Sequence, residues 1–580
     1  MAIVNGTAGN DFIHRAGDGR VPPAGFNNVT GVTTGDDFVA GLASNDFLFG
    51  DGGDDVLNGG PGADALDGGP GADYADYFFA AAGVVANLAN PASNTGEAAG
   101  DTYTSIERLR GSAFNDALTG DANNNTLIGG AGADVLDGGA NFDLAGYQDA
   151  TAGLTANLAN PASNTGEAAG DTYISIEGLI GSDFNDTLVG DANANLLRGG
   201  AGADALNGGG GFDYADYDTA VTASLANPAV NTGDAAGDTY TSIEGLLGSI
   251  FNDTLIGDNN SNELRGGTGA DVLNGGGGFD YAGYQNALTA LTASLANPAI
   301  NNGDATGDSY ISIEGLAGTP FNDILIGDDN DNVLLGGDGA DTLYSGGGND
   351  FIMDDAGPSS DLNGQDGDDK IYGGPGNDYL TGWNGDDVLV GGVDGQDSLY
   401  GGTGNDYLVA ADSNNDGIGS VLDGGPGSNQ LYALVGRGND YAVGGEGADI
   451  IATGAGSDYI FGYDGNDTIV AGTGTDFIFS NGGNDFIYTD DLVTNSQDFV
   501  YVSGLAGFGT GVDTVADFTP GPGGDVAVIL STPGLTSFAQ VQANMIDIGV
   551  YTVITLSATD QLYLYNVDPF QLTADNFLFL

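Results

Sequence analysis

The chain has 580 residues, of which 82 are acidic and 8 basic, giving a formal charge of −74, and it contains no cysteine. This field excludes nucleic acid and anionic membrane surfaces as partners, and the missing thiols exclude disulfides, thiolate chemistry and cysteine–zinc sites. With 41% hydrophobic residues and 106 periodically placed glycines a core can form, although self-repulsion opposes compaction until cations arrive. No 18-residue apolar run is present, so no membrane span is expected, and residues 1–6 lack the charged and apolar regions of a cleavable export signal.

A glycine-rich turn followed by an aspartate and a short apolar triplet is read first at residues 6–13, with His14 beside it expected at the surface. Residues 21–34 break the pattern. It resumes with Asp37, Asp46, Asp55, Asp64 and Asp73, nine residues apart. A longer period then takes over, with Asn-Pro-Ala beginning at Asn90, Asn160, Asn227 and Asn297. Each copy ends in Phe-Asn-Asp, at Asp116, Asp186, Asp253 and Asp323. Nine residues on come Asn125, Asn195, Asn262 and Asn332, and nine further Asp134, Asp204, Asp271 and Asp341. Each long repeat thus joins a nonapeptide run to an insertion of roughly 34 residues, read as further solenoid turns carrying a protruding loop. Nonapeptides return at Asp350, Asp369, Asp378, Asp387 and Asp406, with one extra residue before Asp397. Residues 411–435 are irregular, and the cleanest run holds Asp440, Asp449, Asp458, Asp467, Asp476 and Asp485. From about residue 496 ordinary β alternation takes over. Four regions are expected: 1–75, a first roll; 76–350, four long repeats; 351–495, a second roll; and 496–580, a β cap.

The chemistry follows from the period. Glycine permits the tight turn, each aspartate adds a hard charged oxygen, and turn carbonyls supply others. Calcium accepts six to eight such oxygens, whereas magnesium demands a smaller, rigid octahedron. In each triplet the middle residue points inward and its neighbours outward, so successive triplets lie on opposite sides of a flattened coil and ions fit between stacked turns. All the aspartates from Asp37 to Asp485 named by register, apart from the displaced Asp397, are candidate calcium ligands. An asparagine rung is a weaker, neutral one. The expected fold is all-β: an elongated calcium-bound parallel β-roll or β-helix solenoid with a C-terminal β cap.

These nonapeptides, as in residues 444–452 (Gly-Gly-Glu-Gly-Ala-Asp-Ile-Ile-Ala), closely resemble the RTX family of secreted bacterial proteins. The resemblance implies a β-roll that folds on binding calcium and export by type I secretion machinery reading an uncleaved C-terminal signal. Residues 513–518 and 572–580 are similar to that signal region. Many family members carry a catalytic or anchoring domain ahead of the repeats. With a turn already at residue 6, no such domain is expected here.

No enzyme is expected. His14 is the sole histidine, which excludes a His-Glu-x-x-His zinc site and a conventional triad elsewhere; Trp383 replaces a turn glycine and is read as a surface aromatic. The expected function is a secreted, extracellular calcium-binding structural protein that self-assembles into a surface layer or filament; the alternative is a calcium-dependent adhesin or biofilm matrix component that binds cell-surface glycans. Outward positions in the last run are aromatic: Tyr441, Tyr459 and Phe477, 18 residues apart, with Phe461 and Phe479 beside them. They are the candidate contact for homopolymer assembly, Phe486 and Tyr488 lying on the other side.

Overall fold

A computed structural model describes residues 2–354, 356–393, 395–411, 418–435, 438–489, 496–503, 511–530 and 535–580. The chain divides into two compact units, Met1–Asp280 and Tyr281–Leu580.

In the first unit nearly every strand is three residues long and pairs in parallel with the strand one coil away. Val56–Asn58 lies between Asp37–Ala40 and Tyr74–Asp76, and the column continues through Arg108–Arg110, Thr126–Ile128 and Leu144–Gly146. The central residue of each triplet points inward. Leu57, Leu109 and Leu127 on this side, and Leu48, Leu66, Leu118 and Leu136 on the other, are at most 1% exposed. Two parallel sheets therefore close on a leucine core, and the nine-residue period is the length of half a coil.

The insertions act on one side only. Ala65–Asp67 pairs with Thr102–Thr104, where that column ends. A new column begins with Val85–Asn87 and runs through Ala117–Thr119 and Val135–Asp137 to Thr172–Ile174. Each insertion is thus a single enlarged turn with two strands on one side, rather than further turns of the coil. The loop of the first is closed at the base by the antiparallel bridge Val85–Thr95, with Ala89, Asn90, Ala92 and Ser93 exposed at its tip. Two short 3₁₀ turns, Pro91–Ser93 and Gly96–Ala98, bring the chain back. Ala98, Ala168 and Ala235 are fully buried, as is Asn94 nearly so. The Asn94 side chain fastens the base, accepting from the Asn87 N–H (2.8 Å) and donating to the Tyr103 hydroxyl (2.9 Å).

His14 is 4% exposed and does not lie at the surface as expected. The irregular stretch after it supplies a strand, Asn27–Thr30, that pairs with Asp11–His14. The imidazole is held between Asp18 (2.9 Å from Nδ1) and Asn28 (2.7 Å from Nε2).

Among the described residues of the second unit one parallel sheet of 13 strands runs from Thr292–Ser294 to Phe577–Phe579. Several of its strands are six residues long, for example Tyr379–Asn384 and Tyr459–Asp464, because pairing continues around the turn. The opposite sheet stacks Ile451, Ile469 and Ile487 at zero exposure. The C-terminal segment adds the short helix Phe538–Ala543 and antiparallel strands Met545–Asp547, Tyr551–Thr555 and Gln561–Tyr565, the last of which extends the sheet beside Val512–Val515.

Candidate metal centres

Each turn places its aspartate inside the coil. Asp55 is representative: its Oδ1 accepts the N–H of Asp37, one coil earlier, at 2.7 Å, and its own N–H donates to Asp73 Oδ1 at 2.7 Å. Aspartates therefore form a ladder, Asp46 to Asp64 at 2.7 Å and Asp449 to Asp467 to Asp485 at 3.0 and 2.9 Å. The second oxygen of Asp55 is buried and has no donor. It sits with the Gly68 carbonyl oxygen against the Cα of Gly50, where any β-carbon would collide with both. Gly50 is needed here for space. Gly53 is needed for its backbone, at φ +101°.

A buried carboxylate oxygen against carbonyls with no donor is costly. The same open Oδ2 recurs at Asp46, Asp64, Asp73, Asp134, Asp204, Asp369, Asp378, Asp387, Asp406, Asp449 and Asp467. Burial, and to a lesser degree neighbouring carboxylates, pushes these acids far above the ordinary range, Asp55 to about 7 and Asp64, Asp369, Asp378 and Asp467 to about 8. Asp341, Asp350, Asp458 and Asp485 share the arrangement with a further polar side chain close by. Asp271 and Asp476 accept the ladder bond from Asp253 (2.7 Å) and Asp458 (2.9 Å), and Asp440 accepts from Ser420 N–H (2.8 Å).

Five expected ligands differ. Asp37, Asp116, Asp186, Asp253 and Asp323 have both oxygens bonded by protein donors. In each, one oxygen takes the N–H of a Ser or Thr four residues earlier: Thr33, Ser112, Ser182, Ser249 and Thr319, at 2.5–2.6 Å. The other takes a backbone N–H one coil earlier, such as Val84 for Asp116 (2.6 Å) and Leu154 for Asp186 (2.8 Å). The hydroxyl residue in the second glycine position is the sequence signal that separates these turns from the others.

The asparagine rungs are also self-contained. Asn195 accepts from Asp191 N–H (2.7 Å) and donates to the Glu177 carbonyl (3.0 Å); Asn125, Asn262 and Asn332 repeat this. Asn429 provides an internal control. Its Oδ1 takes the ladder bond from Asp406 N–H (2.9 Å), while its Nδ2 donates to the carbonyls of Gly425 (3.0 Å) and Gly444 (3.1 Å). Gly444 occupies the same place for Asn429 as Gly68 does for Asp55. An amide donor satisfies those carbonyls; where aspartate replaces it, a cation must.

Register reading missed several members. Asp143 and Asp213 carry the open Oδ2 and accept from Asn125 (2.6 Å) and Asn195 (2.7 Å). They lie nine residues after Asp134 and Asp204, so the period itself extends to them. Across the insertions the ladder is closed by Asp101, Asp171 and Asp238 (2.8–2.9 Å) and by Glu107, Glu177 and Glu244 (2.8–3.0 Å), which no nine-residue count reaches.

Among the described residues no three His, Cys, Asp or Glu side chains come together in one cluster. The donor set of each open turn is a carboxylate oxygen beside a backbone carbonyl, as Asp55 Oδ2 is beside the Gly68 carbonyl, all hard oxygens. That set suits calcium, which tolerates many neutral oxygens in flexible geometry, better than magnesium or a transition metal.

Comparison with known families agrees. A family model described as "RTX calcium-binding nonapeptide repeat (4 copies)" matches residues 32–66, 41–75, 110–145, 180–215, 247–282, 317–352, 363–394, 391–431, 423–460, 434–469 and 461–491, together more than half of the chain. The chain belongs to the RTX calcium-binding nonapeptide-repeat family. It is a calcium-binding β-roll protein of the kind exported by type I secretion. No helix among the described residues is long and apolar enough to cross a membrane. The extracellular lipase LipA from Serratia marcescens is similar at 16% identity over 46% of this chain and 39% of that one, with a TM-score of 0.15, a likeness too distant to carry any inference about activity. No curated protein matches the chain.

Proposed function

We propose that this RTX chain is exported unfolded, folds on meeting extracellular calcium, and self-assembles into a surface layer or filament. The observation that carries the reading is the aromatic face of the last run. Tyr459, Phe477 and Phe499 stack in one column (centroids 4.8 and 5.2 Å apart, planes within 10°), and Phe461, Phe479 and Tyr501 in a second (4.6 and 3.9 Å). Tyr441 leans on Phe461 at 5.3 Å. The columns stabilise their own sheet through neighbouring pairs, but they also leave Tyr441 and Tyr459 exposed by 42% and 45% beside Tyr463 at 48%. A contiguous apolar strip on a strongly charged protein is a surface that association would cover. Coupling follows directly: the strip exists only when the coils stack, and stacking requires the open carboxylates to be neutralised.

Electron microscopy of the purified protein with millimolar calcium and with chelator tests this. Regular polymers are expected only with calcium. The double variant Tyr459→Ser with Phe477→Ser is expected to keep its calcium-induced β signal and to sediment as smaller species. Polymers identical to the parent's would remove the aromatic strip from the assembly contact.

A further inference from the structure

Trp383 is the only tryptophan in the chain, and it occupies a turn position held by Gln365 one coil back and by glycine one coil on. Its register partner one coil on is Gly402. Trp383 adopts φ +78°, a left-handed conformation that disfavours any β-carbon, and its side chain is 58% exposed rather than packed. Neither backbone preference nor core burial explains a tryptophan there. Non-glycine residues held in such a conformation concentrate at binding sites.

The surroundings supply a ligand chemistry. Because Gly402 and Gly425 carry no side chains, a groove of about 490 Å³ opens beside the indole. Tyr379 and Tyr400 form its other wall, their rings 5.2 Å apart and inclined by 41°; Tyr379 is 45% exposed. Along the rim runs a polar ladder in which Thr403 Oγ1 donates to Asn384 Oδ1 (2.9 Å) and Asn384 Nδ2 donates to Asp366 Oδ1 (2.6 Å). On the far side of Trp383 a second hollow of about 320 Å³ is lined by Tyr344, Asn363 and Gln365. The indole thus stands between two clefts, each combining aromatic faces with amides.

We infer that the Trp383 groove binds a neutral saccharide chain, its rings stacked on Trp383 and Tyr379 and its hydroxyls bonded to Asn384, Thr403 and Asp423. A pyranose has an apolar face of C–H groups, which fits the electron-rich face of an aromatic ring, and an equatorial belt of hydroxyls that needs both donors and acceptors, which amide, hydroxyl and carboxylate side chains provide. Asp366 and Asp423, on a chain of charge −74, exclude uronic and sialic acids. Two clefts flanking one indole favour a polymer of several sugar units over a monosaccharide. This is independent of the assembly surface, which lies farther along the chain at residues 441–501.

Because there is one tryptophan, its fluorescence reports on the groove alone. The full chain in millimolar calcium is titrated with cellohexaose, chitohexaose and maltohexaose, and in parallel with choline. The expected result is a saturable emission change with at least one hexasaccharide, weakened roughly tenfold or more in Tyr379→Ala and in Asn384→Ala, while the far-ultraviolet circular dichroism of both variants stays that of the parent. No change with any of the three sugars overturns the inference. So does a response to choline alone, which would make the site an aromatic cage for cations, or equal saccharide affinity in parent and both variants.

Discussion

The long repeats of the first unit and the uninterrupted run around residues 440–488 are built on the same coil, yet they meet its central electrostatic problem differently. In the long repeats much of the demand is met by protein groups. Asp116 is closed by Ser112 and Val84, and Asn125 by Asp121 and the Glu107 carbonyl. Asp101 has its oxygens bonded by Asp64 N–H and the Tyr77 hydroxyl (2.8 Å each), and Tyr77 is linked on to Tyr103. Only Asp64, Asp73, Asp134 and Asp143, among the neighbouring turns, present an open oxygen. In the later run Asp449 and Asp467 each do so with no capping hydroxyl. One period can thus encode two degrees of metal dependence, and the choice is made by a single residue: Ser or Thr four residues before the aspartate, or Asn in its place, closes the turn.

The largest expected effect is unequal unfolding on chelation. Hydrogen exchange read by mass spectrometry should show amides of residues 440–488 losing protection first and completely, while those of residues 84–140 retain part of theirs. Uniform loss would erase the distinction between the two regions.

Next comes an exchange of ligand type. Asp467→Asn should give the later run a rung of the Asn429 kind. It is expected to bind less calcium by equilibrium dialysis and to leave the calcium-free form more folded, since a buried oxygen without a donor costs about 1–3 kcal/mol. Asn429→Asp should do the reverse. Unchanged calcium stoichiometry in both would show that the amide and carboxylate rungs are equivalent.

The pH dependence should then change sign with calcium. In the calcium-free fold Asp55 is raised from 3.8 to about 7 and Asp467 to about 8, burial being the main cause. The folded state therefore holds more protons than the unfolded one, and its stability is present at low pH and lost as pH rises from about 4 through about 8. Calcium requires the ionised form, so its binding strengthens over that same interval. Circular dichroism in chelator should gain β signal as the pH falls from about 8 to about 5, while the calcium midpoint should move to higher concentration. A calcium midpoint that does not move with pH would contradict ligation by these carboxylates.

The smallest effect is expected outside the ladder. Asp218 is 61% exposed in its side chain and pairs with Arg198 at 3.1 Å. Asp218→Ala should change stability by no more than about 0.5 kcal/mol and bound calcium not at all. A loss of calcium comparable to that of Asp467→Asn would misplace the metal centres.

The sequence by itself determined the coil. Nine residues per half-turn, an apolar middle residue in each triplet and glycine before each aspartate admit one arrangement, so Leu57, Leu127 and Ile469 are buried and Asp55, Asp134 and Asp467 face inward as their positions require. The ring pairs Tyr459–Phe477 and Phe461–Phe479 follow from the same period, since they are 18 residues apart, whereas Phe499 and Tyr501 join the columns 22 residues on and Tyr441 leans on Phe461 instead of Tyr459. Tertiary structure decided what periodicity cannot express. It tied Asp101 and Glu107 into the ladder across a gap of 37 and 34 residues, and covered His14 with a strand drawn from an irregular stretch. It also turned the insertions into single enlarged turns anchored by Asn94 and Tyr103. The reason is physical: a period specifies which side chains point inward, but whether an inward oxygen already has a donor depends on which backbone N–H or hydroxyl the folded chain brings beside it.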